Sequence, residues 1–297
     1  MKPIDVSGII SRGGTILGTS RFHPFKHPNP EKVIKRNLKK YRIEGLINIG
    51  GEGTQRCSYD LHQMGIPCIG IPKTIDNDVY GTDFTFGFDT AVNIATEAID
   101  RLHTTAESHN RIMLVEVMGR HTGWIATYAG IAGGADAILI PEEPFKLSRL
   151  LDIIKTRHKV GKNFSIIVVS EDAKIILDMK KAKGELLRTP MHQDEYGNLK
   201  LGGITHLLEE TLRGHLNMEV RSTILGYIQR GGSPSPYDRV LATRLGVAAS
   251  ELAAQGKFGR MVCLKGTDIK NIPLKTVVQK LKHVDKNIYR VGEVFFN

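Results

Sequence analysis

Short, largely aliphatic runs recur along this chain at residues 46–49, 68–71, 112–117, 137–140, 165–169, 222–225 and 261–264, with helical periodicity between them. Such runs suit strands buried on both faces, as in a parallel sheet. Ala91, Ile94, Ala95, Ala98, Ile99 and Leu102 fall on one helical stripe. Asp152 with Ile153, and Leu241, Ala242, Leu245 and Ala248, mark further helices. This alternation predicts an α/β fold whose crossovers cover both faces of a mainly parallel sheet. The 297 residues, 41% of them hydrophobic, allow one large or two moderate domains.

Ligands of open α/β sheets bind where loops leave the carboxyl ends of the strands, and here those loops hold most of the chemistry. Residues 46–49 run into Gly50-Gly51-Glu52-Gly53-Thr54, whose glycines let backbone N–H groups approach a polyanion or simply make a tight turn. Glu52 is either a hard oxygen ligand suited to Mg²⁺ or a carboxylate complementing a helix N-terminus. Residues 68–71 run into Pro72-Lys73-Thr74-Ile75-Asp76-Asn77-Asp78. Two carboxylates beside a cation and a hydroxyl are costly in a buried loop unless a ligand uses them. One could act as general base while the other helps to organise a metal; the alternative is an Asx-turn with both carboxylates solvated. Arg21, Arg111, Arg120, Arg221 and Arg230 all sit at strand ends or in Gly-rich loops, and guanidinium groups match phosphate oxygens bidentately.

Lys and Arg number 41 against 31 Asp and Glu, a net +10 that favours an anionic partner: a phosphate ester, a nucleic acid or a membrane surface. No recognition motif or aromatic–basic interleaving supports nucleic acid, so none is expected as a partner. Cys57, Cys68 and Cys263 are scattered with no CxxC pair, which argues against a metal knuckle and for reduced thiols in a cytoplasmic protein. The first residues lack the apolar core of a secretory signal, and no run is long enough for a membrane span. Residues 172–201 are polar, Lys-rich and weakly periodic, and read as a surface excursion: a lid or a plain solvated loop.

Five segments taken together, GGTILGTSR, GGEGT, PKTIDND, RIMLVEVMGRHTG and LGYIQRGGSPSPYDR, resemble the phosphofructokinase family in order and spacing from residue 13 to the C-terminus. The resemblance implies two doubly wound three-layer domains with mainly parallel sheets. Residues 1–87 with 229–275 would form the phosphoryl-donor domain, and 88–228 with 276–297 the fructose 6-phosphate domain. It implies Mg²⁺-dependent, glycolytic phosphoryl transfer to the 1-hydroxyl of fructose 6-phosphate, with Asp76 as general base and Lys73, Thr74 and Arg120 beside it. Glu52 matches a metal-binding position that is usually Asp in the family. Arg21, Phe22, Gly51, Gly53 and Thr54 match positions that line the donor. Thr74, Ile75, Met118, Gly119, Arg120 and Glu171 match those that hold the sugar. Arg111, Arg221, Tyr227, Ile228, Gln229 and Arg230 match the 6-phosphate site. Tyr227 stands where the bacterial allosteric relatives have histidine; a phenol can still donate to phosphate. Arg111 and Arg221 would reach in from a neighbouring subunit, implying a homodimer or homotetramer.

Two positions point to different donors. Gly53 resembles ATP-using members, because the Asp typical of pyrophosphate-using relatives would crowd and repel a nucleotide α-phosphate. Lys73 resembles the pyrophosphate type, yet a lysine can neutralise the transferring group whichever donor is used. Steric exclusion is harder to circumvent than an added cation, so ATP is the expected donor and pyrophosphate the alternative, as in the mixed-substrate subgroup. His103, Asp136 and Lys162 fall in the family's effector region, with His103 in the place of an arginine, so the usual effector control is not expected. A GGD-type loop and first βα unit do not precede Gly13, which leads to the expectation of a poorly stable or inactive chain. A non-catalytic sugar-phosphate-binding paralogue is the remaining alternative, against which the intact Asp76 and Arg120 speak.

Overall fold

The computed structural model describes residues 2–20, 24–26, 28–178, 184–187, 192–193, 199–200 and 202–296. In chain order the elements are α1 (Pro30–Tyr41), β1 (Leu46–Gly50), α2 (Glu52–Gln63), β2 (Cys68–Thr74), β3 (Phe86–Gly87) and α3 (Phe88–His109). There follow β4 (Ile112–Val117), α4 (Trp124–Ala132), β5 (Ala137–Leu139), β6 (Phe145–Lys146), α5 (Leu147–Lys159) and β7 (Ser165–Ser170). Next come β8 (Ile175–Leu177), β9 (Glu185–Leu187), β10 (His192–Gln193), β11 (Leu199–Lys200), α6 (Ile204–Arg213) and β12 (Val220–Ile224). The last are α7 (Pro236–Ala254), β13 (Arg260–Lys265), β14 (Asp268–Pro273), α8 (Leu274–Val277) and α9 (Lys286–Glu293). The chain divides into two compact units, Met1–Asp89 with Gly232–Lys282, and Thr90–Gly231 with His283–Asn297.

In the first unit the sheet runs β1-β2-β13-β14, with β3 beside the end of β2. β1, β2 and β13 are parallel, and β14 returns antiparallel to β13. Strand periodicity of two sorts the side chains into layers. Cys68, Met261 and Cys263 point into a cluster with Leu61, Ile66, Leu274 and Val277, against which Ile34 and Leu38 of α1 also pack. Ile69, Ile71, Val262 and Leu264 point the other way, onto Leu241, Leu245, Ala249 and Leu252 of α7. Helices therefore cover both faces. Ser235 caps α7 through the Asp238 N–H at 3.2 Å, and Pro236 follows in the first turn, as a Ser-Pro start favours. All three cysteines, scattered in sequence, meet in the Cys68 cluster, where burial pushes the Cys68 thiol up to about 11 and raises Cys57 and Cys263 as well.

Two expectations change here. β1 lies at the edge of its sheet and is not buried on both faces: Ile47 and Ile49 are 40% and 48% exposed. β14 was not anticipated, because its sequence is largely polar and its inward positions are only half-buried.

The second unit carries a parallel sheet, β12-β4-β7-β5, in which β4 and β7 are buried at every position. Those two match the continuous apolar pattern of a central parallel strand. A separate small sheet, β6-β8-β9, takes in part of the excursion read as irregular, and β10 pairs antiparallel with β11. The turn expected at residues 194–198 lies outside the described residues. No helix among the described residues is long and apolar enough to cross a membrane.

Candidate active site

In the first unit the glycine loop after β1 sits against the end of β2: a Cβ added to Gly51 would lie 3.2 Å from that of Thr74. Gly50 packs over Thr54, whose Oγ1 would be 2.2 Å from an added Cβ. Gln55 is fully buried in α2 and donates its amide to the carbonyls of Gly50 at 2.9 Å and Ile71 at 3.0 Å, tying the two strand ends together. Glu52 occupies the first turn of α2, where the helix dipole favours a carboxylate. Gly53 is exposed, and a Cβ there would meet nothing within 4 Å.

Beyond β2 the chain is stapled in place. Lys73 is exposed, Thr74 and Asp76 are half-buried, and Ile75 is buried. The Thr74 hydroxyl accepts the Asp76 N–H at 3.2 Å and donates to the Asp76 carboxylate at 3.4 Å. Asn77, fully buried, adopts a left-handed φ of 51°, which reverses the chain between the two aspartates. Its Oδ1 accepts the Thr85 N–H at 3.1 Å, and the Thr85 hydroxyl donates to the Thr74 carbonyl at 2.8 Å. Asp78 is held well above the ordinary carboxylate range, from 3.8 to about 7, chiefly by burial and then by repulsion from Asp76 and Glu52; Lys282 opposes the shift. One Asp78 carboxylate oxygen is buried without a hydrogen-bond partner. The Lys282 amine is itself brought down to about 8, chiefly by burial, and donates to the Asp83 carbonyl, while the Lys282 backbone N–H donates to the Asp78 carbonyl at 2.9 Å.

In the second unit, Met118-Gly119-Arg120 leaves β4 beside Ser170, the last residue of β7, and Glu171, which follows it. Gly119 has a φ of 150°, and a Cβ there would come 2.5 Å from the Thr122 carbonyl and 2.8 Å from Ser170 Oγ. The Gly119 N–H donates to Glu171 at 3.3 Å, and Ser170 Oγ donates to the Gly119 carbonyl at 2.9 Å. Asp172 is raised by burial against the pull of His121, Lys174 and Arg120, so carboxylates and cations gather on this loop pair. Gln229 is buried at 1% exposure; its oxygen accepts the Met118 N–H at 3.2 Å and its amide donates to Gly226, so it braces the loop. Tyr227 and Ile228 are 76% and 69% exposed, and Arg230 is exposed beside them.

Arg111 and Arg221 converge on one carboxylate. Glu219 accepts Arg111 Nε at 2.7 Å and also pairs with Arg221. The parallel register of β12 and β4 puts residue 219 beside 111, and strand period two puts it on the face of 221. Near α3, Asp136 is buried and paired with Arg157 at 2.8 Å, while His103 donates to the Gly133 carbonyl at 2.7 Å. Arg21 and Phe22 lie outside the described residues. Sequence reasoning missed Gln55, Asn77, Thr85, Glu219 and Lys282. Only Glu219 carried a usable signal, its spacing of two from Arg221 on one strand.

Among the described residues no three His, Cys, Asp or Glu converge as a self-sufficient metal cage. Mg²⁺ does not need one: it commonly takes one or two carboxylates together with donor phosphate oxygens and waters. Glu52 at a helix N-terminus, with the unpartnered Asp78 oxygen nearby in the same charged set, suits that mode.

Such strand-end loops, acidic in one unit and rich in arginine in the other, define a two-unit α/β protein equipped for phosphate chemistry. Residues 1–253 match the family model described as phosphofructokinase. A Streptomyces coelicolor protein named pyrophosphate–fructose 6-phosphate 1-phosphotransferase is 47% identical over 99% of this chain and 85% of its own. An ATP-dependent 6-phosphofructokinase of Spirochaeta thermophila is 49% identical over 96% of this chain and 79% of that protein. The crystal structure of a pyrophosphate-dependent phosphofructokinase from Marinobacter aquaeolei matches with a TM-score of 0.74 at 25% identity, covering 92% of this chain and 68% of that one. The chain belongs to the phosphofructokinase family.

Proposed function

We propose that this protein transfers the terminal phosphoryl group of ATP to the 1-hydroxyl of fructose 6-phosphate, giving fructose 1,6-bisphosphate and ADP, as a cytoplasmic glycolytic enzyme. The observation that carries the reading is the coupled carboxylate set at the end of β2. Asp76, half-buried and hydrogen-bonded with Thr74, would accept the sugar hydroxyl proton as the new oxygen–phosphorus bond forms and the bond to ADP breaks. Asp78, pushed up first by burial and then by Asp76 and Glu52, marks a site that is short of positive charge until a cationic ligand arrives. Mg²⁺, held by Glu52 with Asp78 nearby, would supply charge neutralisation for the donor phosphates. Lys73 would add a cation on the exposed side.

In the second unit, Met118, Gly119, Arg120 and Glu171 would orient the sugar, and Tyr227 and Arg230 would bind its 6-phosphate. Arg111 and Arg221 would serve the same phosphate in a second copy of the chain, making the enzyme a homodimer or homotetramer. The open space at Gly53 supports a nucleotide as donor, because no packing need accounts for the missing side chain. Pyrophosphate is the second reading, favoured by Lys73 and by the name of the Streptomyces coelicolor relative.

A coupled assay offering ATP and pyrophosphate in parallel with fructose 6-phosphate tests the proposal. Turnover with ATP would support this reading and overturn the expectation of an inactive chain; turnover with pyrophosphate alone refutes the choice of donor. Asp76→Ala should lower kcat by about two to four orders of magnitude, the range for loss of a general base, while calorimetry still detects fructose 6-phosphate binding. Near-normal turnover in that variant would remove Asp76 from the mechanism.

A further inference from the structure

The charge of this protein is very unevenly distributed. Residues 1–42 hold ten Lys or Arg and two Asp or Glu, a net +8 out of the chain's +10. Much of it lies on α1, where Lys32, Lys35, Arg36, Lys39 and Lys40 follow i, i+3, i+4, i+7, i+8 spacing and so share one face. All five are exposed, and Arg42 extends the patch. Glu31 pairs with Lys35 at 2.6 Å and is the one acidic residue of the helix. The opposite face is already in use, since Ile34 and Leu38 pack on the cluster around Cys68 and Met261. None of these residues belongs to the site proposed for phosphoryl transfer.

Against the expectation drawn above from the lack of a recognition motif, we propose that the cationic face of α1 is a docking surface for the phosphodiester backbone of a nucleic acid, bound without regard to sequence. The twelve-residue helix presents its charges along about 18 Å. Over that length a duplex carries about ten phosphate charges, so all five side chains can find a partner. Asn37 and Tyr41 are also exposed on this helix, Tyr41 with the Lys40 amine 5.2 Å over its ring, but both lie off the five-residue stripe, so the stripe offers charge to phosphates as its main contact. An anionic bilayer fits less well. A helix lying in a membrane interface buries its apolar face there, and this one has committed that face to its own core.

Fluorescence anisotropy of a short labelled DNA duplex of mixed sequence, titrated with the full chain, tests the proposal. Five backbone contacts predict that log K falls with log salt at a slope of about −4.5. The triple variant Lys32→Gln, Arg36→Gln, Lys39→Gln keeps good helix formers at exposed positions and should reduce the slope to about −1.8. A control variant, Lys155→Gln, Lys159→Gln, Lys257→Gln, removes three exposed charges elsewhere and should leave both slope and affinity in place. Absence of salt-dependent binding at low salt, an unchanged slope in the α1 variant, or equal weakening in the control overturns the proposal. Preferential binding to phosphatidylserine-rich vesicles at the same salt would also overturn it, in favour of a membrane surface.

Discussion

Glu219 accepts Arg111 through Nε at 2.7 Å, one of the five donors of the guanidinium, so the carboxylate orients that side chain by a single bond. Glu219→Gln should raise the KM for fructose 6-phosphate about two- to fivefold, the effect of an exposed ion pair, with kcat and the donor KM little changed. Steady-state kinetics with each substrate varied in turn will show whether the effect is confined to the sugar phosphate. At Gly53 a new side chain meets open space, so Gly53→Asp should fold normally. A carboxylate there should lower kcat/KM for ATP at least about tenfold through charge repulsion, and should spare any pyrophosphate activity. Comparison of the two donors on that variant checks it. The carboxylates and arginines of the proposed site were legible because their residue types and loop positions are local properties. Gln55 was not: the groups it joins, Gly50 and Ile71, come together only when β1 pairs with β2.

At the level of elements, α6 shows how a helix start can be invisible in its own sequence. Gly203 precedes it and supplies no side-chain cap. The cap comes from Glu116 on β4, buried at 2% exposure, which accepts the Gly203 N–H at 2.8 Å, the Thr205 N–H at 3.1 Å and the Thr205 hydroxyl at 2.8 Å. Glu116→Ala strips a buried helix start of every one of these acceptors and should cost about 2–4 kcal/mol. Thr205→Val removes one bond and should cost about 1 kcal/mol. Denaturant unfolding of both variants measures the difference, and equal losses would deny Glu116 its capping role. By contrast, β4 and β7 were readable as central strands, because residues buried on both faces leave a continuous apolar run. The outer face of β1 was misjudged from the same kind of run, since no local pattern says which strand ends up at an edge.

Across the whole molecule, Asp78 of the β2 loop ties stability to pH. Asp78 titrates near 7 in the folded chain and at about 3.8 when unfolded, so between those values the folded state binds the extra proton. Its contribution therefore favours folding at low pH and is lost as pH rises through about 7. Asp78→Asn should raise the melting temperature above pH 7, have little effect near pH 4, and flatten the pH dependence between them. Thermal melts of the ligand-free protein across that range test the sign; a variant less stable at high pH would reverse the argument. Periodicity and loop chemistry were enough to specify two α/β layers' worth of strands, their carboxyl-end loops and the family, because each depends on residues near one another in the chain. Tertiary packing set the rest: the raised Asp78, the shared carboxylate between Arg111 and Arg221, the distant cap on α6 and the seating of Ile34 and Leu38 of α1 on the cluster around Cys68. These depend on desolvation and on contacts between residues far apart in sequence, which fall off within a few ångströms and exist only once the chain has folded.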